Sequence, residues 1–400
     1  MNISTRVSEM QFSPIRRFNK YAFEAEAAGK KVYKLNIGQP DVETPECFMD
    51  AVRDFHKSVI AYAESGGNTE LLEAIIKYNS RYGINLTKDN ILVTNGGSEA
   101  LIMAFTTILN AGDEAIIAEP FYTNYRTFCN QVSGKLVPIT AKAENGYHWA
   151  DRELIESAIT DRTKAICCIS PGNPTGRVLT MEEMKLIGEI ATEHDLWIIA
   201  DEVYREFVFD GEEVTSFGML EELADRVIIV DSVSKRFSAC GARVGCVISK
   251  NEAFMEGVLK LAQGRLCCPT LEQIGAAALY SIEGDYYDMV KAEYEARRDA
   301  AYEELSKIPQ VICHKPKGAF YMTVKLPVEN VEDFLMFLLT EFDDKGETVM
   351  FAPAEGFYMT PGMGRDEMRI AYVLAPENMR RGAELIRLGL ASYNEKEKSK

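Results

Sequence analysis

The 400-residue chain has no apolar run near the ~20 residues that cross a bilayer; Phe334–Leu339 is typical of its longest. A membrane-spanning protein is therefore not expected. The opening Met1-Asn2-Ile3-Ser4-Thr5-Arg6 lacks the apolar core of a signal peptide. Positive charge is scarce: Lys and Arg number 44 against 61 Asp and Glu, a formal charge of −17. That field repels phosphate backbones and anionic membrane surfaces, and no basic block offsets it, so no nucleic-acid partner is expected. The four histidines (His56, His148, His194 and His314) never form H-E-x-x-H. The nine cysteines include the adjacent pairs Cys167-Cys168 and Cys267-Cys268 but no C-x-x-C. No metal site is expected, and the thiols read as reduced, buried side chains in a cytoplasm. Neither G-x-G-x-x-G nor G-x-x-x-x-G-K-[ST] occurs, so dinucleotide and P-loop sites lack their fingerprints.

What is present is an ordinary globular balance, 46% hydrophobic and 26% charged, on a chain long enough for two or three domains. Short apolar runs read as buried strands: Ile91–Thr94, Glu114–Ala118, Ala165–Ile169, Trp197–Ala200, Val227–Val230 and Val244–Ile248. Between them lie amphipathic stretches. Ser98–Asn110 has apolar residues at helical spacing, and Thr180–His194 opens with Thr180 and Glu183 as a capping box. Continuous apolar strands alternating with helices imply an α/β fold whose parallel sheet is covered on both faces. Leu271–Arg298 reads as one long helix, and Val311–Leu390 as a smaller α+β region. Ligands of such sheets sit beyond the carboxyl ends of the strands.

Four polar clusters fall at those ends. Gly96-Gly97-Ser98 leads into a helix, where backbone N–H groups converge on an anion. Glu99 belongs to that turn and is counted with the cradle, although a carboxylate suits an anion site only if its side chain points away. Ser170-Pro171-Gly172-Asn173-Pro174-Thr175-Gly176 is a rigid turn holding an asparagine. Asp201-Glu202-Val203-Tyr204 places a carboxylate at the tip of a buried strand, where it needs a cation or strong hydrogen bonds. Asp231-Ser232-Val233-Ser234-Lys235 ends another strand in a lysine, with Arg243 eight residues on. A desolvated lysine beside other cations loses its proton and becomes a nucleophile.

Together the clusters describe one ligand. Its phosphate suits Gly97, Ser98, Ser232 and Arg243, and its aldehyde suits Lys235. Its ring nitrogen suits Asp201, and its phenolic oxygen suits Asn173 and Tyr204. Pyridoxal 5'-phosphate has all of these groups.

With these residues in view, the chain resembles the fold-type I pyridoxal-phosphate aminotransferases of class I/II, the group of aspartate and aromatic aminotransferases. The resemblance runs nearly end to end, through Gly38-Gln39-Pro40-Asp41, Tyr62 ahead of Gly66-Gly67, the clusters above, Gly318-Ala319-Phe320-Tyr321 and Met368-Arg369-Ile370. It implies a large domain, residues 46–285, with a mainly parallel seven-stranded sheet between helices, and a small α+β domain from residues 1–45 with 286–400. It implies catalytic roles for Lys235 (Schiff base and proton shuttle), Asp201 (partner of the ring nitrogen) and Tyr204. Tyr122 stacks on the ring in such proteins and Val203 packs on its other face. Ser234 joins the phosphate cradle, and Tyr62 reaches the phosphate of a neighbouring subunit, so a homodimer with shared active sites is implied. Arg369, helped by the Gly38 backbone and Asn173, holds the substrate α-carboxylate. The partners implied are an L-amino acid, aspartate or an aromatic one, and a 2-oxo acid such as 2-oxoglutarate.

Two departures stand out. Ala352-Pro353-Ala354-Glu355-Gly356-Phe357-Tyr358 replaces the commoner Pro-Gly-x-x-Phe, and Cys240-Gly241 replaces Thr-Gly before Arg243. Arg16 and Arg17, in Ser13-Pro14-Ile15-Arg16-Arg17, are candidates for a second substrate cation. Two other functions stay open on the residues alone, and a third is set aside. A carbon–sulfur β-lyase uses the same lysine and cofactor, and a non-enzymatic regulator could keep the fold. A serine acylase would read Ser232–Lys235 as S-x-x-K, but its S-D-N and K-T-G partners are missing.

Overall fold

The structure, a computed structural model, describes residues 1–8, 10 and 14–398. Ser13 and the last two residues of the charged C-terminal tail lie outside the described residues. Among the described residues thirteen strands form three sheets. In chain order they are β1 Lys31–Lys34, β2 Ile91–Thr94, β3 Glu114–Glu119, β4 Lys135–Thr140, β5 Thr163–Ile169, β6 Trp197–Asp201 and β7 Val227–Ser232. There follow β8 Gly245–Ile248, β9 Ile312–Cys313, β10 Tyr321–Lys325, β11 Glu347–Met350, β12 Ala352–Pro353 and β13 Glu367–Ala371.

The central sheet runs β2-β8-β7-β6-β5-β3-β4. Its strands are unbroken apolar runs because both faces are buried. Alternate residues of one strand enter two separate cores: Ile198 and Ala200 pack in one, Ile199 in the other. The same split parts Val227 and Ile229 from Ile228 and Val230. The helix Met181–Glu193 covers one face, its Thr180–Glu183 capping box formed by reciprocal bonds of 2.9 and 3.2 Å.

The one reversed strand is β8, antiparallel to both β2 and β7. An apolar run carries no mark of direction, so sequence pattern groups it with the parallel strands. Its reversal puts the start of the strand, not its end, at the functional edge, and Arg243 arrives there. The edge strand β4 has no counterpart among the expected strands. Pro138 interrupts its pattern, which an edge position tolerates because β4 pairs only with β3. The expected single helix 271–298 is two, Thr270–Tyr280 and Tyr286–Leu305. Gly284, at φ +86°, turns the chain between them.

The other sheets are a four-stranded one, β12-β13-β10-β9, and the pair β1-β11. Residues 31–34 run parallel to 347–350, so the N-terminal segment joins a strand from the far end of the chain. A third core of Phe, Leu, Ile and Tyr side chains sits around these strands. Among the described residues no helix is long and apolar enough to cross a membrane.

Candidate active site

A cavity of about 520 Å³ opens where the carboxyl ends of β2, β5, β6 and β7 face β13. Of the residues singled out from sequence for catalysis, cofactor or substrate, all line it except Arg17, Glu99 and Tyr62.

Lys235 stands on a single helical turn, Val233–Arg236, that continues β7. Ser232 starts the turn: its Oγ accepts the Ser234 N–H at 3.0 Å. Arg236 closes it with a two-pronged pair to Asp231, 3.0 Å on each side, both residues fully buried. The lysine is thus fixed at its base, while its Nζ donates to the Gly38 carbonyl at 2.9 Å and lies 3.9 Å from Cys240 Sγ. Gly38 is required by closeness: a Cβ there would fall 1.9 Å from the Tyr321 hydroxyl.

Asp201 ends β6 and is almost wholly buried. Sequence reasoning asks for a cation or strong hydrogen bonds. No cation pairs with it among the described residues. Tyr125 donates its hydroxyl to Oδ2 at 2.7 Å, and the Val203 N–H reaches Oδ1 at 3.3 Å. Burial pushes this carboxyl up to about 6, against those two donors.

The anion side is built from three adjacent strands. Gly97 and Ser98 follow β2, Ser232 and Ser234 end β7, and Arg243 precedes β8 between them. Arg243 adopts φ +53° and donates to the Cys240 and Asn95 carbonyls at 3.0 and 3.3 Å. Gly96 permits this, since a Cβ there would lie 2.5 Å from the guanidinium. Glu99 does not face the cavity. Its carboxylate turns back to accept the Asn95 N–H at 2.6 Å and pairs with Arg265 at 2.9 Å, a favourable place for negative charge at a helix start. Cys240 donates its thiol to the Ser234 carbonyl at 3.0 Å, as a hydroxyl of its size could.

Arg369 reaches the cavity from β13, 2% exposed. It donates to Asn173 Oδ1 at 3.2 Å and to the Asn36 carbonyl, and lies over the Tyr321 and Phe357 rings. No carboxylate pairs with it among the described residues, and its Nε has no partner. Burial lowers its pKa from the ordinary arginine value. A buried guanidinium of this kind is matched only when an anion enters. Tyr204 and Tyr321 share a 2.9 Å hydroxyl contact, and the Tyr122 hydroxyl accepts from Asn124 at 2.7 Å.

Tyr62 is 81% exposed and is not part of this cavity's lining. Arg16 lines the cavity, whereas Arg17 pairs with Glu332. The unusual segment 352–358 is firmly packed: the Phe357 carbonyl accepts the Phe121 N–H at 3.0 Å, and Arg126 donates to the Tyr358 carbonyl at 2.9 Å.

Tyr125 and Asn36 touch the site but carry no signal in the clusters. Tyr125 stands three residues after Tyr122 at a helix start, a spacing shared with ordinary core aromatics.

The family model for aminotransferase class I and II matches residues 30–386. This chain belongs to that family. It is a pyridoxal-phosphate-dependent aminotransferase, and its α/β fold is the one its structural relatives share. The aspartate aminotransferase of Bacillus subtilis (strain 168) is 33% identical over 368 residues, 89% of this chain and 92% of that protein. Aromatic-amino-acid aminotransferase 2 of Thermococcus litoralis is 30% identical, covering 95% of this chain and 96% of its own length. The solved alanine aminotransferase of Pyrococcus furiosus superposes with a TM-score of 0.88 at 30% identity, covering 98% of this chain and all of that one.

The aminotransferase cavity fits the cofactor on its own chemistry. It has an amine for an aldehyde, a buried carboxylate with no cation, and N–H, hydroxyl and guanidinium donors beside a helix start. A substrate carboxylate held by Arg369, as the resemblance implies, would lose its charged donor in Arg369→Ala. Losing a charge-assisted pair of about 2–3 kcal/mol raises KM for both amino acid and oxo acid about 100-fold, with kcat less affected. Steady-state kinetics on each substrate reads this; unchanged saturation would assign the carboxylate to another group.

Proposed function

We propose that this aminotransferase moves the amino group of L-aspartate or an aromatic L-amino acid to 2-oxoglutarate, as a homodimer in the cytoplasm. Arg369 carries the reading: a buried guanidinium without an acid, in one cavity with Lys235 and Asp201. When bound, pyridoxal phosphate supplies an aldehyde for the amino group and an electron-accepting ring.

The chain's own residues do the rest. Arg369 and Asn173 orient the α-carboxylate. Lys235 Nζ would hold the aldehyde carbon of the cofactor and, once displaced by the substrate amine, would take or give the proton at the substrate Cα. Asp201 keeps a proton at the ring nitrogen. Asn173 and Tyr204 would hold the phenolic oxygen, Tyr122 and Val203 would line the ring's two faces, and Gly97, Ser98, Ser232, Ser234 and Arg243 would hold the phosphate. The exposure of Tyr62, with Val59 and Ile60 exposed near it in sequence, supports a role for Tyr62 toward a second copy; a monomer in sedimentation would remove that role. The nine free thiols suit a reducing compartment.

The relatives' names disagree on the donor, so a donor panel with 2-oxoglutarate is the decisive test. Arg16 lines the cavity and has no ion pair among the described residues, which favours a dicarboxylic donor. It is exposed, so Arg16→Ala raises KM for aspartate about fivefold and leaves aromatic donors unchanged. Equal losses for both donors would remove Arg16 from recognition. Pyruvate and ammonia released from cystathionine, without transfer to an oxo acid, would replace the reading with a β-lyase.

A further inference from the structure

We propose that Tyr125 is a positioning residue that acts through Asp201: by donating its hydroxyl to Oδ2 it fixes the carboxylate's rotation and keeps the shared proton on the ring nitrogen of the cofactor. The inference rests on the reading of Asp201 as the partner of that nitrogen.

The geometry comes first. Tyr125 is 1% exposed, and its ring is braced edge-on by Phe105 and Phe121, with centroids 6.5 Å away in each case. Its hydroxyl therefore has one place to go, and Asp201 Oδ2 is there at 2.7 Å. Tyr125 belongs to the helix Asn124–Gln131, whose approach also supplies Tyr122, Thr123 and Asn124 to the cavity wall. One helix start thus sets both an aromatic wall and the orientation of the acid.

The surroundings of Asp201 leave this hydroxyl without a substitute. From β7, Asp231 faces it; from its own strand end, Glu202 and Tyr204; from β5, Cys167; and from the Tyr125 segment, Tyr122. All are acids or neutral donors, and the nearby carboxylates and burial oppose ionisation. Arg236 and Arg205 are committed to Asp231 and Glu202. The hydroxyl of Tyr125 is the one side-chain donor to Asp201 among the described residues. A carboxylate deprived of it becomes more basic, and a proton shared with a pyridine nitrogen moves from nitrogen to oxygen, leaving a neutral ring.

The test uses the holoenzyme reconstituted with cofactor labelled with nitrogen-15 in the ring. In Tyr125→Phe the ring nitrogen signal moves towards the unprotonated range at neutral pH, and a protonated carboxyl band appears in the infrared difference spectrum. The shift corresponds to about tenfold higher proton affinity at Asp201, and kcat falls about tenfold while donor KM stays within about twofold. Phe105→Leu, which loosens the brace but keeps the hydroxyl, lowers thermal stability without moving the nitrogen signal. A wild-type nitrogen signal and no carboxyl band in Tyr125→Phe would overturn the proposal, even if stability fell. Asp201→Asn separates the two readings. If it leaves the ring nitrogen protonated, the role of Asp201 falls and this one with it; if it removes the proton while Tyr125→Phe does not, Tyr125 alone is excluded.

Discussion

Lys235→Ala abolishes amino transfer and removes the covalent attachment of the cofactor. The cavity lining contains one lysine among the described residues, so no second amine stands in for it. Its position is over-determined at the base: Ser232 caps the turn, and the Asp231–Arg236 pair spans it. Only the far end of the side chain is free to exchange partners, from the Gly38 carbonyl at 2.9 Å to whatever enters. On the proposed assignment Lys235 would both hold the cofactor and carry the proton, so the variant would lose two functions at once. General acid–base work alone is worth about 10²–10⁴-fold. Borohydride treatment followed by peptide mass analysis checks the attachment: wild type carries the adduct on the peptide containing Lys235, and the variant carries none. Full turnover in the variant, or an adduct on another lysine, would sink the assignment.

Asp201→Ala retains cofactor through the phosphate and ring contacts but loses about 10²–10³-fold in kcat. Breaking a buried charge pair costs about 3–5 kcal/mol, though some of that appears in binding. Turnover at the wild-type rate would exclude this carboxylate from the mechanism. The same residue predicts a pH effect in the cofactor-free protein. Its carboxyl is pushed up to about 6 from an ordinary 3.8 by burial. An acid with a raised folded pKa favours the fold fully below its unfolded value, and that contribution is lost as pH rises through the folded value. Between about pH 4 and 7 the ionising carboxylate therefore costs roughly 3 kcal/mol. Thermal melts of the cofactor-free protein at pH 4.5 and 7.5 check this. Asp201→Asn gains stability relative to wild type at the higher pH only, and an equal difference at both would refute it. On the proposed assignment a bound cofactor would offset the penalty by bringing its protonated ring nitrogen to the acid.

Much of this site is legible in the sequence because each cluster ends an apolar strand, and strand ends converge in a parallel sheet. Asn173, Asp201 and Lys235 come together for that reason alone. What the pattern hides is direction and side-chain aim. Strand β8 reads like its neighbours, yet runs backwards. Glu99 sits in the anion-binding turn, yet caps its own helix start and pairs with Arg265. Arg16 and Arg17 are adjacent, yet one lines the cavity and the other pairs with Glu332. Tyr125 looks like any aromatic of a helix interior until its hydroxyl is traced to Asp201. The break at 281–285 was invisible because Gly284 stands in an otherwise helical composition.

The inverted strand has one more effect. Gly245 of β8 registers against Thr94 of β2 on one side and Ser232 of β7 on the other. The three groups that face the anion therefore hang from consecutive rungs of a single hydrogen-bonded ladder, about 4.8 Å apart. On the proposed assignment the spacing of the phosphate seat follows the backbone pairing of these three strands. Insertions elsewhere in the chain can reshape the mouth where donors are chosen while the seat keeps its gauge.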